Sequence, residues 1–281
     1  MPNGDVMFCE YTRPSVVTAN CWKIHGDATD PASWTIVKSF QLSGLANEGF
    51  KHCHSINYDF YNDVYYLTTG DDDIGAQVWY STDNGVTWTL SRESSEKYCR
   101  VLNMVFTPEY IYWASDTTKA DMHYLFRCAR TTDGIIDYST VTELADLYMS
   151  GIATYGLVFI EEYNAIVILD KADSARPSVP FRIYDINNNT LYTMETFFTA
   201  DGTNQQIGFR TEYTEFIPDG PYVLCGFGKK FGLATYRNFI KGLGNAGDPK
   251  GWISNVNNLR IKIFKTNNGY GYKIKTAFMP R

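Results

Sequence analysis

Ser81-Thr82-Asp83-Asn84-Gly85-Val86-Thr87-Trp88 has the chemistry of a tight β-turn. Its aspartate can bond backbone amides within the turn, its glycine takes a conformation costly for other residues, and its tryptophan can tuck under the hairpin. The flanks Gln77-Val78-Trp79-Tyr80 and Thr89-Leu90 supply the two strands of that hairpin. Related turns recur along the chain. Upstream, His25–Trp34 joins Cys21–Ile24 to Thr35–Val37; downstream come Thr131–Gly134, Asp185–Asn189 and Lys265–Gly269. The first four lie about 50 residues apart, the period of a propeller blade. The last is delayed by roughly thirty residues, and Gly-rich sequence over 226–258 supplies an insertion there.

Short β-rich runs bounded by Gly, Pro, Asn and Asp fill the intervals, in a repeating order such as His54–Tyr58, Val64–Thr69 and then the Ser81–Trp88 hairpin. The expected fold is therefore all-β: a β-propeller of about five four-stranded blades, with four to six allowed, as one domain over residues 1–281. Helical periodicity is nearly absent, and Asp137–Leu147 is the one stretch that could host a short helix. The first blade shows Val6–Tyr11, Ala19–Ile24 and Trp34–Val37 but no inner strand before them. Because an open sheet edge invites aggregation, either the run Gly271–Met279 helps close the ring or the chain is part of a longer protein.

The 281 residues are 44% apolar and 16% aromatic, with a net charge of −6. No basic block occurs, so nucleic acid is not an expected partner. The longest apolar runs fall short of the roughly 18 residues of a membrane span, and Met1–Asp5 carries no signal peptide. Six cysteines are scattered without a CxxC pair, which excludes zinc-knuckle spacing; most sit in strand-like runs as small hydrophobes.

Glu10-Tyr11, His52-Cys53-His54, Tyr58-Asp59, Thr69-Gly70-Asp71, Ser81–Trp88 and Tyr112–Asp116 together resemble the bacterial and phage sialidase-like propellers that carry BNR, or Asp-box, turns. The likeness is best over residues 1–130, and Phe60 departs from it where that pattern often has Pro. It implies a structural role for Ser81, Asp83, Gly85, Thr87 and Trp88 on the blade rim. It fixes no activity, because hydrolases, lyases, lectins and non-enzymatic proteins share the motif.

Candidate ligand contacts are the polar residues expected at starts of inner strands or ends of second strands: Glu10, Tyr11, His52, His54, Asp71, Arg100, Asp116 and Arg210. His54, Asp71, Asp116 and Glu212 are the candidates for catalysis. Strand alternation puts His52 and His54 on one face. That pair admits three roles: half of a metal site to which Asp71 adds a ligand, an acid–base or ligand-binding pair, or structural hydrogen bonding. The run Asp71-Asp72-Asp73 could hold calcium or be a solvated loop, and no other cofactor is expected. Sialidase chemistry needs three arginines, of which Arg100 and Arg210 are two candidates. Glu212-Tyr213 offers a Glu/Tyr pair, but adjacent strand residues point to opposite faces. General glycoside hydrolysis needs two carboxylates flanking the bond.

The resulting expectation is a glycan-recognising propeller, as a cell-surface adhesin or a phage receptor-binding or virion protein. It would be extracellular or virion-associated, with carbohydrate and other subunits of a larger assembly as partners. The alternatives are a glycoside hydrolase or polysaccharide lyase, and a structural scaffold.

Overall fold

Among the described residues, five antiparallel sheets follow one another along the chain, the recurring turns falling between the last two strands of each. A computed structural model describes residues 5–10, 18–41, 52–71, 73, 75–93, 95–172, 178–198, 209–217, 220–227, 259–266 and 269–276. The chain forms two compact units, Met1–Leu147 and Tyr148–Arg281.

The first unit holds three sheets. The first consists of β1 (Val6–Cys9), β2 (Thr18–Ile24) and β3 (Trp34–Gln41). The second is β4 (His52–Asp59), β5 (Val64–Gly70), β6 (Gln77–Ser81) and β7 (Thr89–Glu93). A short helix α1 (Glu96–Cys99) leads to the third: β8 (Val101–Phe106), β9 (Tyr110–Ser115), β10 (Tyr124–Ala129) and β11 (Thr142–Asp146). The second unit holds two four-stranded sheets. One is β12 (Ile152–Ile160), β13 (Ala165–Ala172), β14 (Ser178–Asp185) and β15 (Thr190–Phe198). The other is β16 (Phe209–Ile217), β17 (Gly220–Phe227), β18 (Leu259–Thr266) and β19 (Gly269–Thr276). Within each unit the leading strands of successive sheets lie side by side: β1, β4 and β8 in one, β12 and β16 in the other. Four-stranded meanders ordered in this way are the blades of the β-propeller class, and the fold is all-β of that class.

Burial follows from this stacking. All seven residues of β5, Val-Tyr-Tyr-Leu-Thr-Thr-Gly, are buried, as a strand covered on both faces must be. Strand alternation sends Val64 and Tyr66 into a core shared with Val101, Met104, Ile111, Trp113 and Phe126 of the third sheet. It sends Leu67 the other way, into a core with Ala19, Cys21 and Phe40 of the first. The outer strands β7 and β11 stay half-exposed. An ion pair between the buried Asp59 and Arg130 ties the second sheet to the third-sheet turn; the same guanidinium donates to the Thr107 carbonyl at 2.7 Å.

In all five sheets the recurring turn joins the last two strands. At Ser81–Trp88, Asp83 accepts from the Thr87 amide at 2.8 Å and from the Thr87 and Ser81 hydroxyls at 2.5 and 2.7 Å. Gly85 has φ +80°, and the Trp88 indole donates to its carbonyl at 3.1 Å. The 25–34 turn repeats the scheme, with Asp27 accepting from the Thr29 amide and the Trp34 indole donating to Ala28. Asp185 does the same for the amides of Asn187 and Asn188. Residues 267–268 of the last turn, and residues 228–258 of the expected insertion, lie outside the described residues.

One expectation is corrected. Asp137–Leu147 is not helical: a single 3-10 turn (Tyr138–Thr140) passes into β11, the fourth strand of its sheet. Asp137 caps the start of that turn, accepting from the Ser139 amide, and Val141 leaves helical geometry as the chain enters β11. The run Gly271–Thr276 belongs to β19, which pairs with β18 from Leu259↔Thr276 to Thr266↔Gly269; residues 277–279 lie outside the described residues, and the first sheet has three strands among the described residues.

The leading strand of every four-stranded sheet carries one extra residue near its start. The ladder skips between Cys53 and Ser55 in β4, Val101 and Met104 in β8, Thr154 and Gly156 in β12, and Thr211 and Thr214 in β16. Such bulges re-aim side chains and recur beside functional sites.

Candidate functional site

Antiparallel pairing brings the start of a leading strand to the end of its neighbour. His52 faces Gly70 across β4 and β5, and Val101 faces Ser115 across β8 and β9. The residues just beyond these pairs are therefore gathered at one end of the second and third sheets: His52 and His54, Asp71 after β5, Arg100 before β8, and Asp116 after β9.

Asp71 is the centre. Its Oδ1 lies 3.5 Å from His52 Nε2, 3.5 Å from His54 Nε2 and 3.5 Å from an Arg100 Nη2. The same Nη2 is 3.6 Å from Asp116 Oδ2, while Nη1 donates to the Asp71 carbonyl at 2.9 Å and to Glu96 Oε1 at 3.1 Å. Glu96 is closed off further by Thr117 at 3.0 Å and Lys119 at 2.5 Å. The imidazoles are held rigidly. His54 occupies the bulge of β4, its side chain is 1% exposed, and its Nδ1 sits 3.2 Å from the Val101 carbonyl. Gly70 makes room for it: a Cβ there would overlap the ring, 2.8 Å from Nε2. Asp71 at 32% and Arg100 at 23% keep access to solvent.

Burial works to raise the pKa of Asp71. The two imidazoles and the Arg100 guanidinium outweigh it and hold the carboxyl well below the usual carboxylate range. Asp71 therefore stays ionised and serves as an acceptor, not a proton donor.

Of the expected site residues, His52, His54, Asp71, Arg100 and Asp116 come together. Glu10 does not join them: its two oxygens accept from the Trp22 indole at 2.8 Å and the Asn20 amide at 2.9 Å, bracing the first sheet. Asp73 accepts from the Glu96 amide at 2.8 Å at the start of α1, so it and Asp71 serve different partners; Asp72 lies outside the described residues. Tyr11 also lies outside them. Arg210 and Glu212 are in β16 of the second unit, near its bulge, and their side chains are outside the described residues.

The sequence reading missed Glu96, Thr117 and Lys119, which brace Arg100. The available signal was Ser95 before Glu96-Lys97, a helix start in which Ser95 accepts from the Tyr98 amide. The expectation that cysteines fill cores as small hydrophobes holds for Cys21, Cys53, Cys99 and Cys128, all buried. Cys21 and Cys53 are 3.7 Å apart beneath the histidines, and burial pushes the Cys99 and Cys128 thiols up to about 12.

No family model matches this sequence, and no curated protein does. Among solved structures, the chain is similar to a thermostable family-43 glycoside hydrolase (12% identity, TM-score 0.46, covering 93% of this chain and 87% of that one). It is similar to a family-43 β-1,3-galactosidase with galactodeoxynojirimycin (10%, 0.46, 100% and 92%). A third is the periplasmic gluconolactonase of Pseudomonas aeruginosa (12%, 0.47, 76% and 57%). The fold assignment rests on the sheets described above.

Proposed function

We propose that this chain is a glycan-recognising propeller that binds carbohydrate at the Asp71–Arg100–Asp116 end of its first unit. A cell-surface adhesin or a phage receptor-binding or virion protein, working among other subunits, is the setting that fits such a module. One observation carries the reading. Buried His52 and His54 hold an ionised carboxylate beside a guanidinium, and both of those charged groups keep access to solvent. A fixed acceptor next to a fixed donor fork matches the paired hydroxyls of a sugar, and preorganisation spares the cost of ordering them on binding.

Hydrolysis is the second reading, because Asp71 and Asp116 both reach one nitrogen of Arg100. A glycosidase needs one of its carboxyls protonated. Asp71 is held ionised, and Asp116, 8% exposed, lies 3.6 Å from the same guanidinium, a placement that suits a second anion better than a proton donor, so binding is favoured.

Glycan-array screening followed by calorimetry on the best hit tests the proposal. The wild type should bind without releasing reducing ends, and Asp71→Asn and Arg100→Ala should each weaken binding at least about tenfold, the worth of one lost charge-assisted bond. Turnover by the wild type that Asp71→Asn abolishes would establish the hydrolase instead.

A further inference from the structure

The geometry points to a transition-metal site at His52, His54 and Asp71, taking a borderline divalent ion such as zinc. His54 Nδ1 faces the Val101 carbonyl, an oxygen that can only accept, so when the ring ligates a cation through Nε2 its proton is held on Nδ1. Nε2 and Asp71 Oδ1 converge on the same space, where both can offer lone pairs to a cation. A carbonyl on the other ring nitrogen is the usual support of a metal-binding histidine.

The spacing agrees. Both Nε2–Oδ1 distances are 3.5 Å. This is long for a hydrogen bond between charged partners, about 2.7–2.9 Å. It is close to the separation of two ligands on one tetrahedral zinc, about 3.4 Å for bonds of roughly 2.0–2.1 Å. The three ligand atoms lie within 4.8 Å of one another, and the two ring centroids are 5.0 Å apart.

Charge favours a cation: Asp71, Asp116 and Glu96 outnumber Arg100 and Lys119 around the site. Two imidazoles with one carboxylate suit zinc and its neighbours over calcium, which takes oxygen ligands. Asp71 is open to solvent, so the set supplies three protein ligands and leaves a fourth position exchangeable, the arrangement of zinc sites that act on a bound molecule.

The test uses the full chain, stripped with chelator and dialysed, titrated with zinc chloride alone and followed by calorimetry and thermal melting; no glycan is involved, so it stands apart from the binding proposal. The expected result is one equivalent bound with a rise in Tm. His52→Gln and Asp71→Asn, which keep volume and folding, should each weaken binding at least about tenfold, the lower bound for losing even a supporting partner. Sub-stoichiometric binding by the wild type, or unchanged affinity in both variants, overturns the site. Cobalt(II) locates the ion: a spectrum without a thiolate charge-transfer band, retained in Cys21→Ala, supports it. A thiolate band lost in Cys21→Ala would move the ion to the cysteines and overturn it.

Discussion

Two aspartates stand at opposite ends of the second sheet and are used in opposite ways. Asp83, beyond β6, is satisfied inside its own turn by Ser81 and Thr87, at 2.5–2.8 Å. Asp71, beyond β5, is approached by His52, His54 and Arg100, all at 3.5 Å and from as far as 29 residues away. One carboxylate is saturated by neighbours and shapes the chain. The other is assembled by tertiary structure and left partly open. Local saturation marks a folding device; long-range, loose convergence marks a place prepared for something else.

Substitutions should separate the two ends. The largest effect belongs to Trp88→Ala, which removes an indole packed on the core between the first two sheets and should cost about 3 kcal/mol in denaturant unfolding. A wild-type midpoint would break the assignment of the turn end to stability. Gly70→Ala comes next, costing about 1–3 kcal/mol as the new methyl displaces His54, and it should also abolish zinc binding.

Asp83→Asn should cost about 1 kcal/mol at neutral pH. The hydrogen bonds from Thr87 lower the Asp83 pKa from 3.8 to about 2 in the folded chain. Its contribution is therefore complete above pH 4 and disappears as pH falls toward 2. Acid titrations of wild type and variant should converge over that interval; parallel curves would show that the charge contributes nothing. Asp71→Asn should remove ligand binding, and wild-type affinity in that variant would dissolve the contrast between the ends.

The same contrast explains what the sequence disclosed. The Ser81–Trp88 turn was legible because its hydrogen bonds span four residues, so spacing records geometry. Second strands such as Val64–Gly70 were legible from composition. The gathering of His52, His54, Asp71, Arg100 and Asp116 followed from the blade order, since antiparallel pairing superposes strand starts on strand ends. Glu10 satisfied the same positional rule, but its carboxylate is taken up by Trp22 and Asn20, partners that no spacing announces. Glu96 escaped notice because its role depends on Lys119 and Thr117, brought in by the third sheet. Asp137–Leu147 could be read as a helix because Asp137 is a helix cap, and the pairing of β11 with β10 that overrides it is a long-range partnership no local pattern shows.

The extra residue near the start of each leading strand has an evolutionary corollary. A position outside the hydrogen-bond ladder can change its side chain without shifting register. Each four-stranded sheet thus keeps one position outside its ladder, at 54 in β4, 102–103 in β8, 155 in β12 and 212–213 in β16, and at 54 the room left by Gly70 decides what can stand there. A scaffold with such slots can acquire new specificities one blade at a time while its framework stays constant.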